Sequence, residues 1–312
     1  MTSPEHFGRP VNRRGFVGAG AAAGTAAAIA LGGMRLALTD VAAQENAPGH
    51  TFVVAGLDGW PGENPTNTDV LMIARLDLAA MTVRALSIPR DLYVEIPDVG
   101  YDRINRAFDH GATESDAAWH SGIEVTRQTI LTNFGVRIDG AVTTTFDGFV
   151  GLVNALDGVD LDNPYDLADD QYPDLDSGVK SIFYPAGETH LSGEQALEFA
   201  RTRHQDGDDG RVMRQQLVLL AMLEKVQTAA DRGELADLTA QRASAVSDDL
   251  GDDLAALLME AVSSLDPANV TFGTIAPFLW SETLADSGLS VYQGDWGSLP
   301  CYVQAFLAGE AA

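Results

Sequence analysis

Phe52-Val53-Val54-Ala55-Gly56 is a run of apolar residues that stops at a glycine, and it reads as a buried strand ending in a turn. Two more apolar stretches follow, Asp69 to Asp77 and Met81 to Ile88, separated by a turn short enough to make them a hairpin. The Gly, Pro and Asn residues between Gly59 and Asn67 mark a loop joining the first strand to the second. Helical spacing then takes over. Ser115 to Phe134 places Ala118, Ile123, Val125, Ile130, Leu131 and Phe134 in a helix with Ser115 or Asp116 as its N-cap. A strand over Gly140 to Thr145, a helix over Asp147 to Leu156 and a short strand over Gly158 to Leu161 follow. The acidic, turn-rich stretch from Asp162 to Gly178 has no calcium-loop spacing and reads as a solvated loop.

Ser192-Gly193-Glu194-Gln195 has the form of a capping box and opens a helix running to about Arg201. A longer helix is predicted for Arg211 to Ala230, and one or two more for Leu235 to Ser264. Val270 to Ile275 and Leu289 to Tyr292 read as strands closing the same sheet, before a last helix near Pro300 to Leu307. Strands interleaved with helices, with no internal repeat or long linker, predict a single α/β domain, three-layer and α/β/α-like, with a mixed central sheet.

Upstream of this domain, Asn12-Arg13-Arg14-Gly15-Phe16-Val17 sets two arginines before an alanine-rich apolar run, the order of a twin-arginine export signal. The run is short for a bilayer span, and Val41-Ala42-Ala43 offers small side chains for cleavage after Ala43; an uncleaved anchor is the alternative. This gives a leader over 1–43 and a polar linker over 44–50. The chain is therefore expected outside the cytoplasm, secreted or membrane-associated. Cys301 is the only cysteine, so the exported fold relies on its core rather than on an intramolecular disulfide.

The formal net charge is -26, and Lys180 and Lys225 are the only lysines among 312 residues. Such a surface repels nucleic acid, which is excluded as a partner, and fits a protein that works folded in high salt, although a GC-rich genome also favours Arg over Lys.

Against this background three charged clusters stand where strands or helices end. Asp58 and Asp69 flank one loop and can hold a hard cation such as magnesium, though capping and turn formation also explain aspartates in such places. Ser87-Ile88-Pro89-Arg90-Asp91 leaves Arg90 and Asp91 at a strand edge, where a guanidinium can grip phosphate oxygens in a bidentate way; a surface ion pair is the plainer reading. Arg201, Arg203, Arg211 and Arg214 gather around the acidic stretch Asp206 to Gly210, with Gln215 and Gln216 beside them. Four arginines in so small a region of so acidic a chain form a focused positive pocket suited to phosphate or pyrophosphate, or else a structural ion-pair network.

Asn67-Thr68-Asp69, Ser87-Ile88-Pro89-Arg90-Asp91, Arg103-Ile104-Asn105-Arg106-Ala107-Phe108, Leu191-Ser192-Gly193-Glu194-Gln195-Ala196-Leu197, Arg201-Thr202-Arg203 and Gly210-Arg211 to Gln215-Gln216 together resemble the LytR-CpsA-Psr family in order and spacing, over about residues 52–226. The resemblance implies a catalytic core over 51–230, completed by 231–312, with an apolar pocket for a lipid tail. It implies a magnesium-dependent phosphotransferase, with manganese able to substitute. Its donor would be a polyprenyl-pyrophosphate-linked glycan and its acceptor a cell-envelope polymer, with the membrane surface reached through the lipid. Asp58 and Asp69 then look like metal ligands. Arg90, Arg201, Arg203 and Arg211 look like the pyrophosphate clamp, with Arg214 and Gln215 beside it. Asp91 and Asp208 are similar to acidic residues that serve as a base or orient the arginines.

This chain departs from relatives in three places. Gly59-Trp60-Pro61-Gly62 stands where many have an arginine shortly after the first aspartate, Gly111 stands where a glycine pair is frequent, and Asp209 occupies a usually aromatic position. The rival functions are a pyrophosphatase that hydrolyses the same lipid and a non-catalytic lipid carrier.

Overall fold

The structure is a computed structural model describing residues 49–58, 67–112, 118–174, 178–233 and 245–311. The leader, its cleavage position, the linker up to Pro48, Gly59-Trp60-Pro61-Gly62, the caps Ser115 and Asp116, and residues 234–244 lie outside the described residues.

The first strand is β1 (His50–Leu57), followed by the hairpin β2 (Thr68–Asp77) and β3 (Thr82–Ser87). A ribbon, β4 (Tyr93–Ile96) and β5 (Gly100–Arg103), leads to α1 (Ala107–Gly111) and α2 (Ala118–Phe134). Next come β6 (Gly140–Thr144), α3 (Phe146–Ala155), β7 (Val159–Asn163), β8 (Leu167–Asp174), β9 (Gly178–Tyr184) and β10 (Gly187–Leu191). The helices α4 (Gly193–Arg201) and α5 (Gly207–Asp231) precede β11 (Val246–Asp248) and α6 (Gly251–Ser264). The chain closes with β12 (Val270–Thr274), β13 (Leu279–Thr283), β14 (Ser290–Gly294) and α7 (Leu299–Ala308).

Six strands form the central sheet in the order β11-β6-β1-β2-β3-β12. β1 runs parallel to β6 and antiparallel to β2, and β3 runs antiparallel to β2 and parallel to β12, so the sheet is mixed. Alternation along the strands decides what each face covers. Val53, Ala55, Leu71, Ile73 and Leu86 point to one side, against Ile123, Ile130 and Phe134 of α2 and Val303 and Phe306 of α7. Phe52 and Leu76 point to the other, against Leu250 and Ala261 at α6. Beside α6 on that second side lies a separate core, in which Val153, Leu161, Leu167, Phe199 and Val218 join α3, α4 and α5 to the small strands. The result is a three-layer α/β domain.

Four expectations change. Val246–Asp248, within the stretch Leu235 to Ser264 read as helical, is the sheet-edge strand β11, and α6 begins only at Gly251. The segment from Asp162 to Gly178 is no solvated loop: β8 takes up Leu167 to Asp174, with Leu167, Asp169 and Tyr172 buried, and pairs in a hairpin with β9, which begins at Gly178. The predicted loop Asp206 to Gly210 is the N-cap residue Asp206 and the first turn of α5, where Asp208 and Asp209 sit near the positive end of the helix dipole. Finally, Leu289 to Tyr292 belongs to β14, which pairs with β13 in its own two-stranded sheet instead of closing the central one. The expected strand over 270–275 does take the central-sheet edge, as β12.

Candidate active site

The strand directions bring the charged clusters together. β1, β3 and β6 all end at the edge of the sheet where β2 begins, as the pairings Leu57 with Thr68 and Met72 with Ser87 show. Side chains just past strand ends meet at such an edge. Ile88 N donates to Leu71 O at 2.9 Å, carrying the ladder one residue past β3, and Leu92 N closes a turn on Pro89 O at 3.1 Å. Arg90 is thereby held beside Asp69, with Arg90 Nη1 2.5 Å from Asp69 Oδ1. Burial opposes the charge of Arg90, but Asp69, Asp91 and Asp208 outweigh it and hold its pKa above the ordinary arginine value.

The remaining arginines come from α4 and α5. The Ser192 hydroxyl accepts from Gln195 N while Gln195 Oε1 accepts from Ser192 N, so the capping box is complete. Gly193 is required next to it, because a Cβ there would stand 2.3 Å from Val150 O of α3. A helix started so closely against α3 delivers Arg201 at its last turn, where the guanidinium stacks 4.2 Å from the centre of the Phe146 ring and donates to Tyr172 Oη at 3.2 Å. From α5, Arg211 reaches back to Asp208 at 2.5 Å with its side chain only 6% exposed. Burial holds the pKa of Arg211 below its ordinary value; Asp208 opposes this, while Arg90 and Arg203 repel it further. The guanidinium-bearing side chains of Arg90, Arg201, Arg203 and Arg211 share one wall.

They converge on a cavity of about 280 Å³ between the second face of the sheet and the layer of α3, α4, α5 and β8. Val54, Val70, Phe146, Phe149, Leu197 and Val218 form its apolar wall, and Asp69, Arg90, Arg201, Arg203, Arg211 and Gln215 its polar one. Arg90 Nε and Arg211 Nε are buried donors with no hydrogen-bond partner among the described residues. Unsatisfied buried donors of this kind are costly, and an anion in the cavity would relieve them.

Not every expected residue is there. Arg214 is fully buried and turned away: Nε donates to Phe199 O at 2.8 Å, Nη1 to Asp206 Oδ2, and Nη2 to Thr202 O. It ties the end of α4 to the start of α5 and is no ligand of the cavity. Asp91 lies off the cavity wall, shared between Arg90 at 3.7 Å and Arg103 at 3.4 Å, and Asp208 is engaged by Arg211, so both orient arginines. Asp58 also lies off the wall. Its carboxylate accepts from Asn67 N at 2.7 Å and Asn67 Nδ2 at 2.8 Å, clamping the two ends of the loop.

Among the described residues no three His, Cys, Asp or Glu side chains converge as a ready-made metal cage. Magnesium does not need one, because it keeps several waters and takes one or two carboxylates plus phosphate oxygens. Asp69 on the wall, Asp58 across the loop and the buried Thr68 hydroxyl, unpartnered among the described residues, are hard oxygen donors that fit such a cation.

Sequence reasoning missed Asp169, Tyr172 and His204, all of which line the cavity. Asp169 and Tyr172 were hidden in the segment read as a loop. His204 directly follows Arg201-Thr202-Arg203, and that adjacency was the available signal.

Comparison with known proteins decides the family: the LytR_cpsA_psr family matches residues 25–298. The chain belongs to the LytR_cpsA_psr family. Among relatives in this family, the Bacillus subtilis (strain 168) polyisoprenyl-teichoic acid–peptidoglycan teichoic acid transferase TagV is 35% identical over 182 residues, covering 57% of this chain and 43% of that protein. A Bacillus mycoides (strain KBAB4) transferase of the same description, TagU, is 33% identical over 167 residues, covering 53% of this chain and 48% of its own. The chain thus matches less than half the length of these curated relatives. The crystal structure of B. subtilis TagV superposes with a TM-score of 0.67 at 24% identity, covering 84% of this chain and 98% of that one. The structure of TagT bound to LI-WTA superposes at 0.64 with 23% identity, covering 84% and 90%. The LytR_cpsA_psr fold is common to all three.

Proposed function

We propose that this chain is an exported phosphotransferase that moves a glycan phosphate from a polyprenyl-pyrophosphate carrier to a cell-envelope acceptor. The observation that carries the reading is the cavity itself, in which an apolar wall meets the guanidinium groups of Arg90, Arg201, Arg203 and Arg211. An amphiphile with a polyanionic head matches both halves. The names of the curated relatives TagV and TagU support a polyisoprenyl-linked donor and a peptidoglycan acceptor.

Cleavage of a pyrophosphate builds negative charge on the bridging and leaving oxygens, and fixed guanidinium groups stabilise it without reorganising. Arg90 and Arg211 grip the phosphates from two directions, each held by a carboxylate, Asp69 and Asp208. Arg201, placed by its stacking on Phe146, adds a further positive charge to the same wall. A magnesium or manganese ion held by Asp58 and Asp69 would neutralise the phosphate oxygens further. No covalent protein nucleophile is needed, and Cys301 is exposed and off the cavity wall.

The test is to incubate the purified chain, in high salt with magnesium, with a polyprenyl-pyrophosphate-linked glycan and peptidoglycan fragments. Wild type should form a glycan-acceptor phosphodiester, and Arg90→Ala and Asp69→Ala should not. Release of products without any acceptor adduct would replace transfer by hydrolysis. Tight lipid binding with no product under any metal condition would leave a carrier and overturn catalysis.

A further inference from the structure

His204 and Asp169 form an acid-base pair on the cavity wall that the arginine machinery does not use. Asp169 comes from β8 and its side chain is only 1% exposed. Its Oδ2 accepts from the Thr202 hydroxyl and lies 2.8 Å from His204 Nδ1, while its Oδ1 accepts from Gln171 N at 2.8 Å. Burial alone would raise the pKa of Asp169, but the Thr202, His204 and Gln171 donors outweigh it and hold it below the ordinary carboxylate value. An ionised carboxylate can only accept, so His204 Nδ1 must carry a proton, and the lone pair of the neutral imidazole is left on Nε2. The His204 ring is half-exposed at the cavity rim, where an incoming hydroxyl can reach it.

The other acidic groups near the arginines are already engaged. Asp69 holds Arg90, Asp208 holds Arg211, and Asp91 lies between Arg90 and Arg103. A proton taken up by any of these would dissolve the ion pair that positions a guanidinium. His204 carries no such burden, and the charged groups sharing its cavity wall are Asp69, Asp169, Arg90, Arg201, Arg203 and Arg211.

We propose that His204 is the general base that activates the acceptor hydroxyl, and that Asp169, with Thr202, is the positioning residue that fixes its tautomer. This rests on the transferase reading and deepens it. The hydroxyl proton passes to His204 Nε2 as the hydroxyl oxygen bonds to the glycan-side phosphorus. The bond from that phosphorus to the bridging oxygen breaks, and the electron pair leaves on polyprenyl phosphate. His204 then returns its proton to solvent, so one phosphodiester and one phosphomonoester result.

The experiment measures transfer from a short-chain polyprenyl-pyrophosphoryl N-acetylglucosamine to soluble peptidoglycan fragments by wild type, His204→Gln and Asp169→Asn across pH. His204→Gln should lower kcat by about 10²–10⁴-fold, with KM for the lipid nearly unchanged, and alter the pH profile of kcat. Asp169→Asn should lower kcat in the same direction, because an amide can hold the wrong tautomer. Since Asp169 is buried and its variant can fail to fold, the half-exposed His204 carries the decision, and partial rescue of His204→Gln by free imidazole would separate a lost base from a damaged fold. Wild-type kcat and pH profile in His204→Gln, beside an active wild type, would overturn the dyad and leave the transferase reading standing. An inactive wild type would overturn both.

Discussion

Replacing Arg214 by methionine separates a structural arginine from a ligand-binding one. The side chain is fully buried, and its three nitrogens hold Phe199 O, Thr202 O and the Asp206 carboxylate. Methionine fills much of the volume but leaves two carbonyl groups and one carboxylate with a lost partner each. Asp206 keeps the Tyr165 hydroxyl at 2.6 Å, which softens the loss. Removing one member of a buried ion pair costs about 3–5 kcal/mol. At about 2–4 °C per kcal/mol for a domain of this size, the melting temperature should fall by about 6–20 °C. Circular dichroism melts of wild type and Arg214→Met in the same buffer would measure it, with pyrophosphate affinity determined well below both transitions. A large fall in Tm with affinity nearly intact is the expected pattern. An unchanged Tm with lost affinity would refute the reasoning and restore Arg214 to the binding site.

Arg90→Ala and Arg211→Ala should each weaken inorganic pyrophosphate binding by calorimetry, by about 2–4 kcal/mol or about 30- to 1000-fold. Ser192→Ala removes the cap of α4 and should cost about 1 kcal/mol in urea unfolding. Gly193→Ala should cost more than Ser192→Ala, because its Cβ meets the Val150 carbonyl. Asp169 has a folded pKa below its ordinary 3.8, so its contribution to stability is complete above about pH 4 and is lost as pH falls through the depressed value. Asp169→Asn should therefore be less stable than wild type at pH 7, with a gap that narrows on acidification.

Much of the fold was legible because the central strands are unusually apolar. Val53, Ala55, Leu71, Ile73 and Leu86 leave little room for any reading but buried strands, and the Ser192 capping box marked α4 to the residue. β8 was illegible because it buries Asp169 and breaks its alternation there, with Asp170 and Gln171 both exposed before Tyr172, so the strand period looked like a solvated loop. The first turn of α5 was hidden by Gly207 and Gly210, which suggest a turn, whereas Asp208 and Asp209 there complement the helix dipole.

The site was legible as a concentration of charge but not as a geometry. Arg211 and Arg214 stand three apart on one helix, and spacing alone put them on one face. The backbone carbonyls at the end of α4 capture Arg214 and leave Arg211 to the cavity, and those carbonyls carry no signature in the sequence. His204 escaped for the complementary reason: its partner Asp169 is thirty-five residues away, on a strand the sequence did not reveal.

The most direct test of the central claim is a crystal structure of the chain with a short-chain polyprenyl-pyrophosphate analogue and magnesium. The account places the two phosphates within hydrogen-bonding distance of Arg90, Arg201, Arg203 and Arg211 and the tail among Val54, Phe146, Phe149 and Leu197. A lipid head bound elsewhere, with those arginines unchanged and the cavity empty, would contradict it.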